Sequence, residues 1–88
     1  MLKKTIVVGL ESGLEARPAA LFVQIASKYE SHISILLTDK QVNAKSIMGM
    51  MSLGAIKGQE ITLLVDGEDE EEAMDALVKF ITSETVGE

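Results

Sequence analysis

The 88-residue sequence has no cysteine, one histidine (His32), one proline (Pro18) and three aromatic side chains, Phe22, Tyr29 and Phe80. Each shortage removes a class of function. Without cysteine there is no disulfide, no thiol nucleophile and no thiolate metal ligand. One histidine alone does not make a transition-metal set, so no metal or cofactor is expected. Three rings are too few for the stacking platforms that hold single-stranded nucleic acid. Basic residues are scarce too: eight Lys and Arg against fourteen Asp and Glu leave a net charge of −6. That is the wrong sign for binding a phosphate backbone directly.

No apolar run approaches membrane-spanning length. At the start, Lys3 and Lys4 precede a short apolar stretch, but polar Glu11 and Ser12 follow it without a small-residue cleavage pattern. It does not read as a signal peptide. What remains is the composition of a small cytoplasmic protein. Hydrophobic residues make up 47% of the chain, enough for one domain, 1–88, with its own core.

The β-branched run over residues 4–10 predicts a first strand. Ser12 and Gly13 break it, and Pro18 suits the first turn of a helix, where a missing N–H costs little. That helix should run from Ala16 to Lys28 or Tyr29. Ala19, Phe22, Val23 and Ala26 form its core stripe, while Arg17, Ala20, Leu21 and Gln24 form a second, partly exposed face. His32–Leu37 reads as a second strand, Thr38–Lys40 as a turn and Gln41–Ala44 as a short third strand. Ser46 begins a second helix that Gly54 is placed to end. Glu60–Val65 is the fourth strand. A last helix spans Asp69–Ser83, with Ala73, Ala76, Leu77, Phe80 and Ile81 facing inward, and Thr85–Glu88 is a frayed tail. The order β-α-β-β-α-β-α predicts an α+β fold: a four-stranded antiparallel sheet with three helices on one face.

The chain holds no conventional catalytic set. His32 stands near a strand start with no nucleophile at a telling distance, and reads as a surface histidine. Gly49 to Gly54 has the glycine spacing of a phosphate-binding loop, but Ala55 and Ile56 follow where Lys and Ser or Thr are needed. The acidic residues Asp66 and Glu68 to Glu72 lack the ligand spacing of a calcium loop. At a helix start they are favoured by the helix dipole.

Two segments say more. Ser46 lies between Lys45 and the apolar residues Ile47, Met48, Met50 and Met51. A helix of two turns cannot bury all its faces, so the segment admits two readings: a capped core helix, or a modifiable hydroxyl in a docking patch. Met50 and Leu53 are assigned to the core. Gly13 to Ala20 places Glu15 and Arg17 at the start of the first helix, where a planar guanidinium could hold an anion presented nearby.

These segments carry a resemblance. Gly13-Leu14-Glu15-Ala16-Arg17-Pro18-Ala19 resembles the active-site segment Gly-Ile/Leu-His-Ala-Arg-Pro-Ala of HPr, the phosphocarrier family of the bacterial sugar phosphotransferase system. The segment from Asn43 to Gly54 resembles the regulatory serine segment of HPr proteins from Gram-positive bacteria, and the two motifs stand at the family's separation. The resemblance implies the HPr-like open-faced β-sandwich.

One departure matters for function. The family's phosphoryl-carrying histidine falls on Glu15, and a carboxylate does not simply replace an imidazole nitrogen as phosphoryl carrier. Glu15 therefore marks a lost carrier site, and the chain is not expected to be an enzyme or a carrier. Loss of that histidine with retention of the serine is similar to the catabolite-repression branch of the family in bacilli. That branch typically has Gln at the position of Glu15.

The resemblance implies that HPr kinase/phosphorylase phosphorylates Ser46. The phosphorylated form then binds catabolite control protein A, a LacI-type repressor, as its corepressor, and contact with DNA belongs to that partner. Arg17 and Lys45 are candidates to balance the phosphate. Ile47, Met48 and Met51 would form the docking patch, extended by Ala20 and Leu21. Two alternatives stay open: a phosphocarrier using Glu15 or His32, and a binding module whose patch works regardless of Ser46. The resemblance also admits a homodimer that exchanges its first strand, with Gly9 to Gly13 able to serve as a hinge.

Overall fold

Alternating apolar residues in the strands become one buried sheet face in the computed structural model, which describes residues 1–11, 13–14 and 16–82. The elements are β1 (Leu2–Val7), α1 (Ala16–Ser27), β2 (His32–Leu37), β3 (Lys40–Asn43), α2 (Ile47–Leu53), β4 (Glu60–Asp66) and α3 (Glu70–Thr82). The sheet order is β1-β4-β2-β3, and every neighbouring pair is antiparallel. β4, the last strand in sequence, therefore lies between β1 and β2, and its addition joins the two halves of the sheet.

The central strands dictate which face is covered. Ile33 and Ile35 on β2, with Ile61, Leu63 and Val65 on β4, are buried at alternate positions. Period-two spacing puts all five on one face. Three helices close over it with complementary stripes: Ala19, Phe22, Val23 and Ala26 from α1, Met50 and Leu53 from α2, and Ala73, Met74, Leu77 and Ile81 from α3. The Phe22 and Phe80 rings meet at 6.2 Å between centroids with a 52° tilt, within the range of favourable aromatic pairing. Burying each large apolar side chain contributes about 1.5–3 kcal/mol.

The predicted architecture, helix number and strand number match the structure, and the differences fall at element ends. β1 begins at Leu2 and stops at Val7, not at residue 10. The chain then turns into the core: Val8 and Leu10 are buried, the Val8 N–H donates to the Gln59 carbonyl (2.9 Å) and the Gly9 N–H to the Ile81 carbonyl (2.8 Å). The β2–β3 hairpin turns on two residues, Thr38 and Asp39, and Lys40 already pairs with Leu37. Thr38 sits at φ 58°, a region that disfavours β-branched residues. Ala44 belongs to the following turn, is buried, and donates its N–H to the Ile33 carbonyl at 2.9 Å. Met74 adds to the predicted inner face of α3, while Ala76 and Phe80 are half-buried. The predicted break at Ser12, the carboxylate of Glu15, the helix end at Ser83 and the tail Thr85–Glu88 lie outside the described residues.

Candidate functional site

Ser46 stands where β3 hands over to α2, and the backbone on both sides of it is tied. Asn43, the last residue of β3, accepts the Lys45 N–H on its side-chain Oδ1 at 2.8 Å. Its main-chain carbonyl accepts the Ser46 N–H at 3.1 Å. This is the turn chemistry that asparagine favours, its side chain standing in for a backbone acceptor two residues away. Ser46 itself is extended, at φ −107° and ψ 119°, and its Oγ accepts the Gly49 N–H at 3.1 Å. The Ser46 carbonyl takes the first helical bond, from the Met50 N–H at 2.9 Å. Ser46 is thus an N-cap, as its position predicts. Gly54, at φ 68°, closes the helix in the left-handed conformation.

With seven residues, α2 can bury only one side. Met50 and Leu53 go inward, as expected, to 0% and 5% exposure. Ile47, Met48 and Met51 remain outside at 46%, 82% and 54%. Ile56, in the loop after the helix, adds another exposed apolar side chain. The sequence reading did not single it out, because an isolated isoleucine beside Gly54 carries no periodic signal. Flexible methionines in an exposed group suit a surface that adapts to a partner. α1 packs against α2, and its Ala20 and Leu21 are half-buried, while Arg17 is exposed.

The two cations named as candidates to balance a phosphate take separate positions in the unmodified protein. Lys45 Nζ donates to the Tyr29 carbonyl at 2.6 Å, just beyond the end of α1. There the cation bonds the main chain of the turn that follows α1. Among the described residues, no hydrogen bond or ion pair joins Arg17 to Ser46. His32 opens β2, exposed, opposite Asp66 of β4. No group of three or more His, Cys, Asp or Glu side chains able to hold a metal occurs among the described residues. The arrangement offers one hydroxyl at a helix start beside an exposed apolar patch.

Known proteins share this plan over nearly the whole chain. The family model described as PTS HPr component phosphorylation site matches residues 2–83. The HPr-like protein Crh of Halalkalibacterium halodurans is 55% identical over 84 residues, which are 96% of this chain and all of that protein. The crystal structure of a phosphocarrier protein HPr from Bacillus anthracis superposes with a TM-score of 0.89 at 49% identity, covering 91% of this chain and 95% of that one. The crystal structure of Crh, the Bacillus subtilis catabolite repression protein, has a TM-score of 0.74 at 46% identity, covering 99% of this chain and all of that one. That Crh structure is an intertwined dimer with a swapped domain. HPr and Crh proteins are phosphocarriers or regulators. With this fold, these two motifs and such full-length likeness, the chain belongs to the HPr family and is a regulatory, Crh-like HPr protein.

Proposed function

We propose that this protein, acting as one domain over residues 1–88, is a phosphorylation-controlled corepressor in carbon catabolite repression. HPr kinase/phosphorylase modifies Ser46, and the phosphorylated form docks on catabolite control protein A in the cytoplasm. The observation that carries this reading is the setting of Ser46: an N-cap hydroxyl directly beside exposed Ile47, Met48 and Met51. A phosphate there brings about −1.5 to −2 charge and three acceptor oxygens. The Gly49 N–H already aims at this position, so an anion finds a donor in place without a change of fold. The phosphate then adds a charged feature to an apolar patch, and the pair offers a partner both an electrostatic and a hydrophobic foothold. Arg17, Lys45, Ala20 and Leu21 complete the proposed contact surface. For Lys45 this requires the side chain to leave the Tyr29 carbonyl.

Glu15 supports a regulator over a phosphocarrier, because a carboxylate lacks the imidazole nitrogen that accepts and returns phosphate. The test is direct. Incubation with ATP and the kinase should add one phosphate, Ser46→Ala should abolish it, and the phosphorylated protein should bind the repressor more tightly than the unmodified one. Phosphate on another residue, or unchanged repressor affinity, would sink the reading. Phosphoenolpyruvate with the first phosphotransferase enzyme should leave no labile phosphate on the chain.

Self-association has its own support. β1 is an edge strand, and none of its six residues is fully buried. An edge strand held mainly by its ladder can pair equally well with β4 of a second copy. Light scattering across a concentration series should reveal a dimer if the strand exchanges.

A further inference from the structure

We propose that Asn43 is a positioning residue for phosphoryl transfer to Ser46, acting through the backbone of Lys45 and Ser46. The inference rests on the reading of Ser46 as the acceptor. It adds what makes that serine a good acceptor before any partner arrives.

In the transfer, the Oγ of Ser46 forms a bond to the γ-phosphorus of ATP. The bond from that phosphorus to the ADP oxygen breaks, and the hydroxyl proton passes to a base of the kinase. Attack of this kind depends on the angle and distance at which Oγ is offered, and a misplacement of about 1 Å can cost about a hundredfold in rate. In this chain the offering angle is set locally. Asn43 holds the Lys45 N–H on its side chain and the Ser46 N–H on its carbonyl. Two successive N–H groups are thereby fixed by one residue, which leaves Ser46 extended and its Oγ turned onto the Gly49 N–H.

Gly49 lies in ordinary packing contact with both Asn43 and Ser46. A Cβ built on Gly49 would lie 3.4 Å from the Asn43 carbonyl oxygen and 3.4 Å from Ser46 Oγ. Upstream the turn is anchored twice. The Ala44 N–H bonds to the Ile33 carbonyl of β2, and Lys45 Nζ bonds to the Tyr29 carbonyl. Ser46 Oγ thus serves as an acceptor toward the helix, and among the described residues its own O–H donates no hydrogen bond. Among the described residues the exposed Asn43 amide makes no hydrogen bond to Ser46 Oγ and bonds the Lys45 N–H instead, so its influence runs through the main chain.

The experiment measures phosphorylation of Ser46 by HPr kinase/phosphorylase with ATP, well below the melting temperature, for wild type, Asn43→Ala and Asn43→Ser. Alanine removes the side-chain acceptor. Serine retains an oxygen that can form the same kind of turn, more weakly. Asn43→Ala should lower kcat roughly tenfold with KM little changed, and Asn43→Ser should recover most of the loss. In parallel, amide NMR should show the Lys45 and Gly49 resonances shifted in Asn43→Ala and nearer wild type in Asn43→Ser. Wild-type kcat in folded Asn43→Ala overturns the proposal while leaving Ser46 as the acceptor. A loss confined to KM also overturns it, since that is the mark of direct contact with the kinase. If the wild type takes no phosphate at Ser46, the underlying reading fails and the proposal with it.

Discussion

Ser31 donates its hydroxyl to Asp69 Oδ1 at 2.5 Å, and that carboxylate also accepts the main-chain N–H groups of Ser31 (3.0 Å) and Glu30 (2.8 Å). Ser31 is buried and stands just before β2, while Asp69 stands just before α3. One carboxylate therefore ties the start of a central strand to the start of a helix 38 residues later. Asp69→Ala leaves a buried hydroxyl and two N–H groups without their acceptor, which is the costly way to lose a hydrogen bond. Its thermal midpoint should fall by several degrees, and Asp69→Asn, which keeps one acceptor oxygen, should fall less. Circular dichroism melting checks this, and an unchanged midpoint for Asp69→Ala would show the tie to be unimportant.

The same region sets an acid sensitivity. The Ser31 hydroxyl, then the Glu30 N–H, holds the Asp69 carboxyl below its usual value. The Gly67 N–H, then the terminal ammonium, does so for Glu70. A carboxylate depressed in the folded state contributes stability that is present above its unfolded pKa and is lost as pH falls through the folded one. Urea midpoints should therefore hold steady from neutral pH down to the ordinary carboxylate range, about pH 4, and decline below it. Asp69→Asn should make that decline shallower. A series of denaturation curves from pH 7 to pH 3 measures both.

Two methionines two residues apart should behave oppositely. Met50 is fully buried under α2, and Met50→Ala should cost about 2–5 kcal/mol of stability, read from chemical denaturation. Met48 is 82% exposed, and Met48→Ala should leave stability within about 0.5 kcal/mol. Under the proposed function its effect should appear in repressor affinity, measured by titration calorimetry with the phosphorylated protein.

Two glycines with the same backbone angle should also differ. Gly13 and Gly54 both have φ 68°. A Cβ on Gly54 meets nothing within 4 Å, whereas one on Gly13 would lie 2.4 Å from the Ala55 carbonyl oxygen. Gly54→Ala should lose only the cost of a left-handed alanine, about 1 kcal/mol. Gly13→Ala must in addition push apart the contact where the Leu14 N–H bonds to the Ala55 carbonyl at 2.8 Å. Comparing the two denaturation midpoints isolates the steric part, and equal losses would show that the segment yields freely.

Periodicity and end signals in the sequence were sufficient for the element order, the inward stripes of α1 and α2, the N-cap at Ser46 and the stop at Gly54. Those features depend on neighbours within a few residues, where alternation, helical spacing, capping and glycine chirality act. The likeness to HPr, and the missing histidine at Glu15, were also legible in linear motifs. The sequence could not place β4 between β1 and β2, nor turn Val8 and Leu10 into the core, because strand order and burial depend on surfaces distant in the chain. Nor could it send Lys45 to the Tyr29 carbonyl or join Ser31 to Asp69, since each pairing needs two segments brought together by the fold. Asn43 lies between these cases: its turn-forming chemistry is written locally, but only the folded handover from β3 to α2 makes it hold the backbone of Ser46.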